Sequence, residues 1–355
     1  MKKILLHWVI PLAITVGLLA LAFSLIEPEN RRRIPGYIAA VPWHVHVLFV
    51  LVTLISMWLR AIRWRALLPD FPLTTRKCFG PLMIGFMMNA LFPARAGEFA
   101  RSVVLGRKEK IPFTSVLGSV LLERIFDGVV LLASFAIVLA ILGTVLPPEI
   151  SFGDKSITSE DLQVAVRGAT IGVIIVLAGI IGLLIPAVRR IFESIAHATL
   201  PQRWGNTVVD QMEKLVSGFR SLHSPLAIVI IILWTLAVWA TVALSCQIGA
   251  WGFEDLAEMS FLEAWAITVF VCIFILLPAA PGYWGFYELG VIFACATLGL
   301  TTATEVALAY SVVIHLWQIV VTVAVGLIYA WAEGLHLGQL RHRAETDDSP
   351  LSERE

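Results

Sequence analysis

Apolar runs long enough to cross about 30 Å of hydrocarbon recur along this chain, at about 4–26, 43–60, 113–146, 164–186, 225–249 and 303–331. Inside lipid every backbone N–H and C=O has to find its partner within the protein, so repeated spans of this length dictate a helical bundle. With 58% hydrophobic residues in 355 positions and a mean hydropathy of +0.85, the chain is far more apolar than a soluble domain. It is a polytopic membrane protein, and nucleic acid is not among its expected partners. The first run, Ile4 to Ile26 behind Lys2 and Lys3, ends near Ala20-Leu-Ala22, which resembles a signal-peptidase site. The run is longer than a secretory h-region and is read as a retained anchor helix.

Two further apolar regions, 78–106 and 261–300, are interrupted by the strings LFPARAG (Leu91 to Gly97) and LLPAAPG (Leu276 to Gly282). Pro93 and Gly97 in the first, and Pro278, Pro281, Gly282 and then Gly285 in the second, stand where helical hydrogen bonding is hardest to maintain. From Leu91 to Leu276 the offset is 185 positions. The same offset carries 43–60 into the run at 225–249 and 113–146 onto the final span. The expected fold is therefore all-α, a polytopic integral membrane helical bundle with two inverted repeats, each containing a broken or re-entrant helical hairpin. Two proline-kinked helices in a rigid bundle are the alternative.

The expected organisation is an N-terminal anchor helix and external loop (1–42), repeat 1 (43–146, broken at 78–106) and a connecting span with a cytoplasmic amphipathic loop (147–224). Repeat 2 (225–331, broken at 261–300) and a cytoplasmic polar tail (332–355) follow. In the connecting loop, Val208, Met212, Leu215 and Phe219 form a stripe suited to a helix lying on the membrane surface.

The net charge is zero, but the charges are sorted. Taking the N-terminus as cytoplasmic, Arg60, Arg63, Arg65, Arg76 and Lys77, then Arg107, Lys108 and Lys110, then Arg189, Arg190, Arg203, Lys214 and Arg220, and finally Arg341 and Arg343 fall in loops on one side. The opposite loops carry Glu149, Asp154, Glu160 and Asp161, then Glu254, Asp255 and Glu258. This is the positive-inside pattern with both termini cytoplasmic; Lys155 is outnumbered by the acids of its loop, and Arg31 to Arg33 are the exception. Cys78, Cys246, Cys272 and Cys295 lie in or beside apolar runs without metal-ligand spacing and are read as core residues. No metal or cofactor is implied.

Ionisable groups at membrane depth cost several kcal/mol, by order of magnitude, unless they pair or line a wet cavity. Around the first break stand Asn89, Arg95, Glu98 and Arg101; Glu98 is three positions from each arginine, so a helix could place all three on one face. One ion pair would leave one cation spare, beside free backbone N–H groups near Pro93 and Gly97, as a cradle for phosphate or carboxylate. A cytoplasmic-edge loop in water is the other reading. Within the span at 113–146, Glu123, Arg124 and Asp127 can share a face, and the cluster is expected to pair with Arg95 or Arg101, or to couple protons. After the second break comes Glu288 among Tyr283, Trp284 and Tyr287, with His315 and Gln318 one turn apart in the last span. His315 reads as either an interhelical donor or a proton relay.

The strings N-x-L-x-P-x-R-x-G-E-x-x-R at Asn89 to Arg101, E-R-x-x-D at Glu123 to Asp127 and P-G-x-x-G-x-x-E at Pro281 to Glu288 resemble the lysylphosphatidylglycerol synthase transmembrane region, also called the flippase-like family. The resemblance spans about 43–331. It implies a domain that moves lipids or lipid-linked sugars between leaflets, and by matching position it selects Arg95, Glu98, Arg101, Glu123, Arg124, Asp127 and Glu288. The chain departs from the pattern at Tyr283, where a glycine is usual, and at His315, where an arginine is common. The aminoacyl-transferase domain of the synthases is absent from the sequence, so lipid synthesis is not carried over.

The expected function is translocation of an anionic lipid or lipid-linked headgroup across an inner membrane by alternating access, with no catalytic residues. Asn89, Arg95, Glu98, Arg101 and Glu288 are the substrate-binding candidates, and Glu123, Arg124, Asp127 and His315 the charge-coupling ones. Anionic membrane lipids are the expected partners, with lipid or glycan biosynthesis enzymes as further candidates. An intramembrane lipid-modifying enzyme and a non-transporting subunit of a biosynthetic complex are the alternatives.

Overall fold

The computed structural model describes residues 2–92, 96–145, 149–152, 155–158, isolated positions from 164 to 178, 186–210, 225–275 and 281–334. Pro93, Arg95 and Pro278, most of the span at 164–186, Met212, Leu215 and Phe219 of the amphipathic stripe, and the tail beyond 334 lie outside the described residues.

The chain runs through α1 (Lys2–Ser24), a 3-10 turn at Asn30–Arg33 continuing into α2 (Ile34–Ala40), α3 (Trp43–Ala66), α4 (Thr75–Leu91), α5 (Ala96–Glu109) and α6 (Phe113–Val145). A short antiparallel hairpin follows, β1 (Glu149–Phe152) paired with β2 (Lys155–Thr158) in the register Glu149 to Thr158. Then come α7 (Pro186–Thr199), α8 (Pro225–Ala250), α9 (Phe261–Phe274), α10 (Phe286–Thr297) and α11 (Thr304–Ala332). Four of these helices, α3, α6, α8 and α11, are long and apolar enough to cross a membrane. Their outer faces are apolar too: α3 exposes Trp43, Val47, Leu51 and Ile55 in successive turns, and α8 exposes Leu226, Val229 and Leu233. A soluble protein would bury such stripes, whereas lipid solvates them.

The two interrupted regions both fold as helix, break, helix, with the second arm returning along the first. At the first, the Thr74 hydroxyl caps α4 by accepting from the Lys77 N–H. Lys77 at the start of α4 then meets Glu109 at the end of α5, Nζ to Oε2 2.6 Å. The arms touch backbone to backbone where Gly85 faces Gly97, and a Cβ on Gly97 would sit 1.8 Å from the Gly85 carbonyl oxygen. At the second, Ser260 and Glu263 form a capping box that starts α9. The arms close through Phe293 against Phe270 and Phe274, ring centroids 5.5 and 5.6 Å apart. Thr301, beyond α10, donates to Asp255, ahead of α9, at 2.9 Å. The break itself is a 3-10 turn at Pro281–Tyr283 that needs left-handed backbone, with φ +71° at Gly282 and +60° at Tyr283; Gly285 follows at +89°.

Packing interleaves the two regions. α3 lies along α8, α4 along α11 and α9 against α6. Close approach on the α4/α11 seam depends on Gly326, whose missing side chain admits Met87. One difference from the sequence reading bears on function. The third helix does not stop at Arg60; it continues to Ala66, so Arg60 and Arg63 belong to a buried helical face rather than to a loop.

Candidate functional site

A cavity of about 210 Å³ lies where the two broken regions and the long helices converge. Arg60 of α3, Asn89 of α4, Glu98 of α5 and Arg124 of α6 wall one side. Trp239 of α8 packs beside Arg60, and Thr268 and Cys272 of α9, Tyr287 of α10, and His315 and Gln318 of α11 complete the wall. The 3-10 turn contributes Gly282 and Tyr283, so the second break forms part of the wall.

Beneath the charged side is a network of arginines and carboxylates in which Arg63, Arg101, Glu123 and Asp127 are almost sealed from solvent and Arg124 and Glu98 open to the cavity. Arg63, fully buried, holds Asp127 with both Nη atoms, at 2.5 and 3.2 Å, and its Nη2 lies 3.1 Å from Glu123 Oε1. Arg101 donates from Nη1 to Glu123 Oε2 at 3.1 Å, and its guanidinium sits 4.9 Å from the Trp64 ring. Arg124 reaches Glu123 Oε1 at 2.8 Å, Glu98 at 3.4 Å and Asp127 at 3.5 Å. The Trp239 indole N–H donates to Asp127 Oδ1 at 3.2 Å. Three guanidiniums thus share three carboxylates, the arrangement in which buried charge is tolerable.

Arg60 is the fourth cation, and among the described residues it has no carboxylate partner. It is 6% exposed. Its guanidinium packs 5.4 Å from the Phe86 ring and 5.6 Å from the Trp239 ring, and its buried Nε has no hydrogen-bond partner.

On the far side, His315 is held at both ring nitrogens. Nδ1 lies 2.7 Å from Glu288 Oε1 and Nε2 lies 2.7 Å from the Gly282 carbonyl oxygen. His315 thus bridges Glu288 and the 3-10 turn, the donor and acceptor roles of its two nitrogens following the tautomer. Glu288 also accepts the Gly285 N–H at 2.6 Å, so one carboxylate ties the start of α10 to α11. Tyr287 stacks on the His315 ring at 4.1 Å and Trp284 lies at 4.5 Å. Replacing His315 with Phe is expected to preserve the stacking yet leave Glu288 buried with only the amide. A loss of about 3 kcal/mol is expected, read as a lower unfolding midpoint of the detergent-purified protein; an unchanged midpoint would remove the imidazole from the stability of the break.

Of the residues singled out in sequence, Asn89, Glu98, Arg124, Gly282 and His315 line the cavity. Arg101, Glu123 and Asp127 lie in the network behind it, and Glu288 is buried behind His315. The expected pairing of the Glu123 cluster with Arg101 is present, as is the contact of Arg124 with Asp127. Glu98 turns to Arg124 rather than to Arg101, because α5 and α6 face each other. Asn89 has a structural task as well, its Oδ1 accepting the Gly97 N–H at 2.8 Å across the break. Sequence reading missed Arg60, Arg63 and Trp239. Their signal was the spacing of Arg60 and Arg63 on a stretch with no Gly or Pro before Pro69. All four cysteines are free, with Cys272 on the cavity wall. Among the described residues no group of three or more His, Cys, Asp or Glu side chains is placed to hold a metal ion.

Comparison with known proteins agrees with the motif resemblance. The chain is 26% identical over 342 residues to a protein named glycosyltransferase AglD from Haloferax volcanii, a match covering 89% of this chain and 53% of that one. The chain therefore spans about half the length of the curated relative it matches. No solved structure matches. Residues 8–326 match the family described as the lysylphosphatidylglycerol synthase TM region, and with most of its length inside that match the chain belongs to this family of membrane proteins.

Proposed function

We propose that this protein moves an anionic lipid, or a lipid-linked anionic headgroup, between the leaflets of the cell membrane by alternating access, with both termini cytoplasmic. The observation that carries the reading is the cavity walled jointly by both broken regions, with arginines on one face and amide and hydroxyl groups around it. Such a site takes a headgroup while acyl chains stay in lipid. The 185-position offset supports the repeat: it carries 43–66 onto 228–251, 75–91 onto 260–276, 96–109 onto 281–294 and 113–145 onto 298–330, which are close to α8, α9, α10 and α11. If the apolar run at 164–186 supplies the odd crossing expected from sequence, the two copies are inverted and their hairpins re-enter from opposite sides. Two equivalent arrangements would then open one mid-membrane site to either face.

Reconstitution tests the reading. Liposomes containing the protein and a fluorescent phosphatidylglycerol should lose inner-leaflet fluorescence to a membrane-impermeant quencher well above the protein-free rate. A rate equal to that of empty liposomes overturns the proposal. A second reading is favoured by the glycosyltransferase name of the relative: action on a lipid-linked glycan, as an enzyme or as a subunit beside one. It predicts a chemically altered labelled lipid without movement between leaflets.

A further inference from the structure

The network gives an unusually direct way to ask what charge the cavity accepts. Arg63, Arg101 and Arg124 are each met by carboxylates, and Glu98, Glu123 and Asp127 are each met by arginines. Glu288 is bonded to His315 behind the cavity wall, Oε1 to Nδ1 2.7 Å. Among the described residues Arg60 is the guanidinium left without a bonded carboxylate, nine-tenths buried and on the cavity wall, with the cost of its burial met by two aromatic rings and by through-space attraction to Asp127 and Glu123, which Arg63 and Arg124 already hold. Burying a cation without a counter-charge is unfavourable, and contact with aromatic faces offsets it only in part. A monoanion in the cavity would complete the balance.

Geometry narrows the chemistry. A guanidinium presents paired N–H groups that match two oxygens on one centre, and that of Arg60 already packs against Phe86 and Trp239. Asn89 has committed its Oδ1 to the Gly97 amide, which leaves its NH₂ as a donor at the cavity. Gln318 stands on the opposite wall. One cation without a bonded carboxylate, beside neutral amides and the mutually paired Arg124 and Glu98, suits a single negative charge spread over two oxygens. In a membrane that description fits the phosphodiester of a lipid.

We infer that Arg60 is the anchor for one phosphodiester monoanion, and that Arg63, Arg101 and Arg124 form the scaffold that holds the wall rather than the contact itself. This rests on the translocase reading for its biological setting but not for its test. Binding is measured on the full chain in detergent by native mass spectrometry, with dioctanoyl phosphatidylglycerol, dioctanoyl glycerol and inorganic phosphate as separate probes. Wild type is expected to bind the phosphatidylglycerol at least tenfold more tightly than the neutral glycerolipid. Arg60→Met, which keeps an unbranched stem between the rings, is expected to abolish that preference. Arg60→Lys is expected to restore part of it, through charge without the fork. Arg60-dependent binding of inorganic phosphate as tight as that of the lipid would support the anion site while assigning it to a free phosphate. Retention of the full preference in an Arg60→Met protein with a wild-type unfolding midpoint overturns the inference. So does a loss of the preference that comes only with a lowered midpoint and is not restored in any part by Arg60→Lys. If lipid moves in liposomes but the preference ignores Arg60, this inference fails alone; if the preference tracks Arg60 and no lipid moves, only the translocase reading fails.

Discussion

Arg63→Met is expected to lower stability by about 3 to 5 kcal/mol, the cost of leaving a buried carboxylate without its main partner. Arg63 supplies two of the contacts to Asp127 and one to Glu123 from a position with no solvent access. Without it Glu123 keeps Arg101 and Arg124, but Asp127 is left with Arg124 at 3.5 Å and the Trp239 indole N–H. Adding Asp127→Leu removes the stranded charge, and the double variant is expected to recover most of the loss, since well-packed apolar replacements of buried ion pairs are often neutral or better. Recovery should stop about 1 kcal/mol short, because the Trp239 and Thr235 side chains lose a partner. Unfolding midpoints of the single and double variants decide the matter. A double variant as unstable as the single one would mean that the loss reflects packing of the long arginine stem rather than charge.

The same residue shows where sequence stops being legible. The hydropathy of the third helix runs out at Arg60, and a reading based on apolar runs ends the span there. Helix propensity does not: from Arg60 to Ala66 nothing breaks a helix, which closes at Leu67, two residues before Pro69. Where a helix ends and where its apolar stretch ends are different questions, and the difference here is one charged turn pointing inward. The two breaks, by contrast, were legible to within a few residues, because proline and paired glycines act on the backbone locally. Partner choice was only partly legible. Spacing found Arg124 with Asp127, which share a helix, whereas Glu98 with Arg124 and His315 with Glu288 are set by which helices face each other. That is tertiary information, absent from any single run.

Gly97→Ala is expected to be the most disruptive small substitution in the first half. The new methyl carbon would stand 1.8 Å from the Gly85 carbonyl oxygen and 2.7 Å from Asn89 Oδ1, and the nearer obstacle is backbone in a packed helix. A flexible side-chain tip can turn aside, but two helix backbones in contact have to separate. Gly85 faces the same contact from the other arm, a Cβ there lying 2.8 Å from the Gly97 carbonyl, so neither helix can slide to relieve the other. Separation breaks the Gly97 N–H to Asn89 bond and moves Asn89, Ala90 and Glu98 away from their places on the cavity wall. Loss of about 3 kcal/mol is expected, at the upper end for overpacking, together with loss of phosphatidylglycerol binding. Gly118→Ala on α6 is the matched control: nothing lies within 4 Å of its added methyl, and helix propensity favours alanine by about 1 kcal/mol. Equal unfolding midpoints for the two variants would mean that α4 and α5 do not meet at this glycine pair, and the wall of the cavity would have to be redrawn.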